Sequence, residues 1–297
     1  MKKNFYLCNK FQSKKNIRPL LFFHVPKSAG TTFSVIFSWL LKEQTRIKGP
    51  LFKNNDKAGK TAFELFNECP SYDFYNKFNF IYGHLPFEIN NLLKKSFLKI
   101  SLIRDPIERT LSHYNWMINR GYCSKSDDLQ TLFDDNKITK NTITNQFSGE
   151  GYTNKNLDKN LNQAYENLSK NIDYLYKSND ILSLIKKIIS EYDLPNILFQ
   201  NHQESDYKDK FVEKIDMKII IENNKMDIEL FESLSKNNIF KISEKNNEIY
   251  KSNNSNSFFF SSPNIKINGK NSRLLNKKEF DETINNLSRN KFKIIKA

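Results

Sequence analysis

One segment near the N-terminus constrains the fold more than any other part of the chain. It runs from Leu20 to Thr32 and reads LLFFHVPKSAGTT. The apolar run predicts a buried strand, Pro26 interrupts it, and an apolar-periodic run from Thr31 predicts a helix. A strand, a tight loop and a helix N-terminus form an anion site, because unpaired amides and the positive end of the helix dipole converge there. Lys27 adds a full positive charge, so we expect a phosphorylated group to bind here.

A second segment has the same strand-to-helix form. Residues 97–104 alternate well enough for a strand, and Asp105 then provides an N-cap with Pro106 at the first helical position. Glu108 falls where a capping box has its acidic residue. Gly121 predicts the end of this helix.

Arg104 and Ser112 are placed to share one ligand at this second junction. Ser112 lies seven residues after Asp105, close to two helical turns, and therefore returns to the side of the cap. An arginine gives a bidentate, charge-assisted grip on a phosphate, and a serine adds a hydroxyl donor. The packing face of this helix is predicted to consist of Ile107, Leu111, Trp116 and Met117.

The first loop does not have the order of the nucleotide-triphosphatase P-loop. That motif needs a lysine after its second glycine, whereas Lys27 precedes Gly30. The order Pro-Lys-Ser-Ala-Gly-Thr-Thr instead resembles the 5′-phosphosulfate loop of sulfotransferases, which use 3′-phosphoadenosine 5′-phosphosulfate (PAPS). With His24 two residues before the proline, it resembles the carbohydrate branch, which includes the heparan sulfate 2-O- and 6-O-sulfotransferases. By itself, the loop also fits an ordinary strand-to-helix turn with an exposed lysine.

The segment from Leu102 to Tyr114 resembles the 3′-phosphate motif of the same family, so both motifs occur in the right order. The resemblance implies an α/β fold with a P-loop-like, doubly wound parallel sheet flanked by helices. It also implies PAPS as co-substrate, bound at both junctions, with no metal. The residues that would bind it are Lys27, Ser28, Ala29, Gly30, Thr31, Thr32, Arg104 and Ser112.

Between the two motifs, Gly83 and His84 resemble the segment in which carbohydrate sulfotransferases have a catalytic histidine. That histidine takes the proton of the acceptor hydroxyl, and a neutral imidazole suits this chemistry near pH 7. His84 is therefore the predicted catalytic base. Lys27 is the second predicted catalytic residue, because its charge would offset the charge that builds on the leaving phosphate. A ring that only bonds backbone is the alternative for His84, and Glu88 is the reserve base, because some relatives use a carboxylate. Structural roles are predicted for the other histidines, His24, His113 and His202.

Downstream, the likeness to the family is weaker. The segment 145–149 either lines the ligand groove or forms a polar turn. Helical structure is predicted around 164–168, 172–176 and 181–189, and Lys42 to Lys60 is predicted to be a loop or short helices. Arg109 is expected to support either its own helix or the acceptor.

The net charge of +14 is unevenly distributed. Residues 1–20 carry +6 and residues 241–297 carry +7, which leaves +1 for residues 21–240. We therefore divide the chain into a basic N-terminal arm (1–19), a sulfotransferase domain (20–240) and a C-terminal extension (241–297). The extension is either a strand pair with a helix or partly disordered. Because the central part is near neutral, we expect no nucleic-acid partner.

The expected partner is a carbohydrate acceptor, with an acidic polysaccharide as one option, and the sequence leaves the oligomeric state open. Cys8, Cys69 and Cys123 are scattered without metal-ligand spacing, which fits reduced thiols. No stretch reaches the roughly 18 to 20 apolar residues of a membrane helix, and no signal peptide is evident. We expect a cytoplasmic protein. Animal relatives carry a Golgi anchor, and its absence from this sequence fits either a soluble enzyme of a bacterial or viral type or a trimmed chain.

Three other functions remain open. A nucleotide kinase would need ATP and Mg²⁺, but the loop lacks the P-loop order. A non-catalytic nucleotide- or glycan-binding protein is disfavoured, because Lys27, His84, Arg104 and Ser112 are all present. A sulfotransferase for small molecules or protein tyrosine would share the co-substrate but not the pairing of His-x-Pro-Lys with Gly-His.

Overall fold

A five-stranded parallel sheet lies at the centre of the computed structural model. Its strands, in spatial order, are β3 (Gln44–Ile47), β4 (Phe80–Gly83), β2 (Leu20–His24), β5 (Leu98–Ile103) and β6 (Tyr174–Lys177). Every neighbouring pair is parallel, so the carboxyl ends of all five strands meet at one edge. The structure describes residues 5–8, 18–41, 44–47, 78–93, 96–149, 157–200, 216–241, 257–262, 266, 267, 270, 272–290 and 294–296.

Helices cover both faces of this sheet. The described helices are α1 (Gly30–Leu40), α2 (Pro106–Asn119), α3 (Leu129–Asp134), α4 (Thr142–Phe147), α5 (Leu157–Lys170), α6 (Ile181–Glu191), α7 (Met217–Asn223), α8 (Lys225–Lys236) and α9 (Lys277–Arg289). Leu21 and Phe23 pack with α4, α5 and α8, whereas Leu20 and Phe22 pack on the opposite face with α1 and α6. A strand buried on both faces reads as a continuous apolar run, which explains the sequence from Leu20. The predicted α/β fold with a parallel sheet flanked by helices is confirmed.

Two predicted elements of the central sheet are wrong. The segment 172–176 was predicted to be helical, but Tyr174–Lys177 forms the edge strand β6. Its aromatic residues fit a half-buried edge, because alternate side chains face opposite sides of the sheet. Gln44–Ile47 forms the opposite edge strand where a loop or short helices were predicted. Residues 48–60 of that stretch lie outside the described residues.

A second, mixed sheet joins strands that are far apart in the sequence. In spatial order it contains β10 (Ile294–Lys296), β1 (Phe5–Cys8), β7 (Asn196–Gln200), β8 (Ser257–Ser261) and β9 (Ser272–Asn276). The antiparallel pair β8 and β9, followed by α9, agrees with the strand-pair-and-helix alternative for the C-terminal extension. This sheet combines strands from the N-terminal arm, the central domain and the C-terminal extension. The boundaries proposed between these three segments stay a prediction. None of the described helices is long and apolar enough to cross a membrane.

Candidate active site

Three adjacent strands of the central sheet each lead into a predicted functional residue. Phe23 of β2 pairs with Gly83 of β4, and His24 of β2 pairs with Leu102 of β5. His84 directly follows β4, and the other two candidates, Lys27 and Arg104, follow β2 and β5 at the same edge. Neighbouring strands are about 4.8 Å apart. The two strand-to-helix junctions therefore lie side by side.

The loop after β2 has a backbone shaped for the helix that follows. Lys27 and Ala29 both have left-handed conformations, with φ of 66° and 61°. Ala29 is the N-cap of α1 and makes no side-chain cap hydrogen bond. The Ser28 amide donates to the Val25 carbonyl at 3.3 Å. The group of Ser28 that can bind a ligand is therefore its hydroxyl rather than its amide. Because no side chain caps α1, the anion-binding character of its first turn is retained.

The hydroxyl of Ser28 is an unusual feature of this loop. Ser28 is fully buried, and its Oγ has no hydrogen-bond partner among the described residues. A buried polar atom normally has a partner, so an orphan at a helix N-terminus indicates a place where a ligand completes the bonding. Thr31 and Thr32 follow in the first turn of α1, half-buried and buried respectively.

Gly30 permits close packing under the loop. A Cβ at this position would lie 2.0 Å from Cδ2 of His24, so any larger residue would force the His24 ring or the loop to shift. The His24 ring in turn stacks on Phe22, with ring centroids 5.6 Å apart, and lies 4.6 Å from the His84 ring. The predicted packing role of His24 agrees with these contacts.

A backbone contact fixes the tautomer of His84. Its Nδ1 lies 2.8 Å from the carbonyl oxygen of His24. A carbonyl only accepts, so Nδ1 donates, and the neutral ring keeps its lone pair on Nε2. This is the form that a general base requires. Glu88, the reserve candidate, lies half-buried in the short 3₁₀ helix Phe87–Leu92 that follows.

The segment 145–149 supports the backbone beside His84. It belongs mainly to the buried helix α4, so the polar-turn alternative is wrong. Gln146 is fully buried, and its Nε2 donates to the Leu85 carbonyl at 2.9 Å. The buried Asp227 of α8 fixes α4 in turn, because its carboxylate accepts from the amides of Ile143 and Thr144.

The junction after β5 is built differently from the loop after β2. The Asp105 carboxylate accepts from the amides of Ile107 and Glu108 at 3.0 Å each, which confirms the predicted N-cap. Glu108 accepts from Nε of Arg104 at 3.1 Å. This bond orients the guanidinium through Nε, and since no described residue binds the two terminal nitrogens of Arg104, both can bind a ligand. Ser112 lies on the same helix, 6% exposed.

Positive charges meet where the two junctions adjoin. Burial, together with the charges of Arg104 and Arg120, lowers the pKa of Lys27 to about 8. The Lys27 ammonium also lies over the Trp116 ring, 5.4 Å from its centroid. Lys27 is still largely protonated at pH 7, and this cluster of cations favours a multiply charged anion.

His113 and Trp116 lie at the site, although the sequence analysis gave them only structural roles. Burial, with the charges of Arg109, Lys27 and His84, lowers the pKa of His113 to about 3, so its ring is neutral. All four residues predicted for the packing face of α2 belong to one hydrophobic cluster: Met117 is buried in it, and Ile107, Leu111 and the half-buried Trp116 pack against it. Helical spacing was the available signal, because Trp116 follows Ser112 by four residues and shares its face.

Arg109 supports its own helix rather than a surface site. It is fully buried, and its NH2 nitrogen donates to Thr110 and to Asn224, both at 3.2 Å. Burial lowers the pKa of the Arg109 guanidinium, and the nearby charge of Asp227 opposes this shift. Of the two predicted roles for Arg109, support of the helix agrees with these contacts.

The structure does not test the predictions about His202 and about a metal ion. His202 lies outside the described residues. Within the described part of the chain, no group of three or more His, Cys, Asp or Glu side chains is arranged to hold a metal. The expectation that no metal is needed stays a prediction.

The chain matches one known family over most of its length. A family model described as "Sulfotransferase family" matches residues 13–232, a range that includes all three strand ends of the site. A search of curated proteins finds no match.

Proposed function

The chain belongs to the sulfotransferase family, and on this premise we propose that it transfers the sulfuryl group of PAPS to a hydroxyl of a carbohydrate acceptor. The observation that carries the proposal is the order of the strand ends. His84, Lys27 and Arg104 follow β4, β2 and β5, which are neighbours in the sheet. A base, an ammonium and a guanidinium therefore lie in one row. Such a row suits a donor bound at two places beside a hydroxyl that must lose its proton.

The residues present fit a doubly phosphorylated nucleotide. Three groups offer donors to a 5′-phosphosulfate: the N-terminus of α1, the ammonium of Lys27, and the hydroxyl of Ser28, for which no described residue is a partner. Arg104, oriented by Glu108, and Ser112 offer donors to a 3′-phosphate. PAPS supplies an activated sulfuryl group with a phosphate leaving group. In this arrangement Lys27 stabilises the charge that develops on that phosphate, and Nε2 of His84 accepts the hydroxyl proton.

The first experiment tests co-substrate and reaction together. We expect 3′,5′-ADP to raise the melting temperature of the wild-type protein, because it binds only the folded state. ATP with Mg²⁺ should raise it much less. We also expect labelled sulfate to pass from PAPS to sugars or polysaccharides, rather than to phenols or tyrosine peptides. Stabilisation by ATP–Mg²⁺ alone would indicate a kinase instead.

The second experiment tests the base. His84→Ala should reduce turnover to background while leaving the stabilisation by 3′,5′-ADP intact. Glu88→Gln is the matched variant, because Glu88 follows in the adjoining 3₁₀ helix. If His84→Ala kept the wild-type rate and Glu88→Gln lost it, Glu88 would be the base.

Location and partners belong to the same proposal. We propose a cytoplasmic enzyme with no nucleic-acid partner, in which the half-buried Cys123 remains a free thiol. An acidic polysaccharide is one acceptor to include in the panel. Fractionation of the native cells, followed by detection of the protein in the cytoplasmic fraction, tests the location.

A further inference from the structure

An exposed aromatic surface adjoins the predicted catalytic lysine. Tyr122 is 63% exposed, and its ring centroid lies 5.4 Å from that of Trp116. Large aromatic side chains normally bury most of their area, so an exposed ring beside a site is a candidate for ligand contact. We call the exposed Tyr122 ring and the adjoining edge of Trp116 the aromatic platform.

The backbone holds this platform rigidly at the end of α2. Gly121 has φ of 71°, a conformation that glycine adopts without strain. The Tyr122 amide donates to the Met117 carbonyl at 2.9 Å, and the Gly121 amide donates to the Ile118 carbonyl at 3.0 Å. These two bonds form a Schellman motif, which reverses the chain directly after the helix. This reversal places the Tyr122 ring against Trp116, which itself follows Ser112 by four residues.

The platform is continuous with the catalytic row. The Lys27 ammonium and the Tyr122 ring centroid each lie 5.4 Å from the Trp116 ring centroid. Arg120, the C-cap of α2, is exposed beside the platform and lies close enough to Lys27 for its charge to act there. Trp116 therefore connects the exposed Tyr122 ring to the Lys27 ammonium, and Arg120 adds a positive charge near Lys27.

We propose that the aromatic platform is the acceptor subsite, on which one sugar ring of the acceptor stacks with its face of C–H groups against Tyr122. This inference rests on the proposed function and adds the place where the acceptor binds. A sugar ring combines an apolar face with a hydroxyl rim, and a rigid tyrosine offers a matching apolar face with a polar edge. Tyrosine also loses little conformational entropy when it makes such a contact.

The test measures the KM for the sugar acceptor that the wild-type enzyme sulfates best. Tyr122→Ala should raise this KM roughly ten-fold, the loss expected for one aromatic contact, while the KM for PAPS stays unchanged. Tyr122→Phe should recover most of that loss, because it keeps the ring. Trp39→Ala is the matched control. Trp39 is 58% exposed in the last turn of α1, far along the helix from the site, and its loss should change neither KM.

The outcomes separate this inference from the proposed function. If the wild type sulfates sugars and Tyr122→Ala has an unchanged acceptor KM, the subsite is wrong and the proposed function stands. Equal rises in the KM values for acceptor and PAPS would also overturn the subsite, because they would indicate a general structural effect. If the wild type sulfates no sugar although 3′,5′-ADP stabilises it, both the proposed acceptor class and the proposed subsite are wrong.

Discussion

The two strand-to-helix junctions of the site have the same outline but opposite ways of treating the helix N-terminus. After β2, the N-cap Ala29 has no side-chain cap, and the buried Ser28 hydroxyl has no partner among the described residues. After β5, Asp105 satisfies two amides of α2 with its own carboxylate. A capped terminus has little left to offer an anion, whereas an uncapped one is an anion site.

This difference determines how each junction can bind a phosphate. The first junction offers backbone and hydroxyl donors with a lysine, in a loop that holds two non-glycine residues at positive φ. The second offers side chains alone, Arg104 and Ser112, from a backbone that is already satisfied. We infer that a ligand completes the hydrogen bonding of the first junction, whereas Asp105 already satisfies the amides of the second.

The largest effects are expected from the two cations. Lys27→Ala should lower kcat about 10³-fold, as loss of a preorganised donor to a leaving oxygen does, and Arg104→Ala should mainly raise the KM for PAPS, by about ten- to a hundred-fold. Steady-state kinetics with both substrates varied separates the two. Lys218→Ala removes an exposed lysine from α7 and controls for net charge. Equal kcat losses in both variants would remove the distinction between the junctions.

The outline of both junctions was predictable, and their chemistry only in part. Apolar runs, Pro26, Pro106 and Asp105 predicted both strand ends and both helix starts, because each acts through local backbone preference. The partner of Glu108 was not predictable, since its carboxylate binds the Arg104 side chain instead of closing a capping box. That choice depends on side-chain reach after folding.

Contacts between segments that are far apart in the chain could not be predicted from the sequence, because they also form only after folding. The strand β6 was read as helix, because a short aromatic segment fits either period until its neighbour β5 is in place. Trp116 packs against the core as predicted, but the contact of its ring with the Lys27 ammonium joins segments far apart in the sequence and was not predictable. The pairing of β1 with β7 and β10 joins segments that no local pattern connects.

Smaller effects are expected from Ser28→Ala, with an increase in stability and a decrease in nucleotide affinity. Ser28→Ala removes a buried hydroxyl for which the described part of the chain provides no partner, so the ligand-free protein should become slightly more stable. The affinity for 3′,5′-ADP should fall by up to about ten-fold, because one donor to the phosphate is lost. Denaturant unfolding and calorimetric titration measure the two quantities. A loss of stability with unchanged affinity would mean that the hydroxyl has only a structural role.

The reverse pattern is expected at Asp105. Asp105→Ala should lower the free energy of unfolding by about 1 kcal/mol, the usual cost of losing an N-cap. Affinity for 3′,5′-ADP should change little, because the two hydrogen bonds described for the carboxylate go to amides of its own helix. Asp105→Asn keeps a capping oxygen and is the matched control. If Asp105→Ala weakened nucleotide binding more than Ser28→Ala, the contrast between the junctions would be reversed.

The last expected effect is a pH dependence that runs in opposite directions for stability and for binding. The pKa of Lys27 is lowered from 10.5 to about 8 by burial and by Arg104 and Arg120, so between these pH values the unfolded chain binds more protons than the folded one. Stability of the ligand-free protein should therefore rise as pH increases from 8 to 10, relative to Lys27→Met. Binding of 3′,5′-ADP should weaken over the same range, because the ammonium loses its charge. Melting temperatures with and without nucleotide, measured for both proteins, test this. Parallel pH profiles for wild type and Lys27→Met would show that Lys27 titrates outside this range, and the electrostatic account of the first junction would then be wrong.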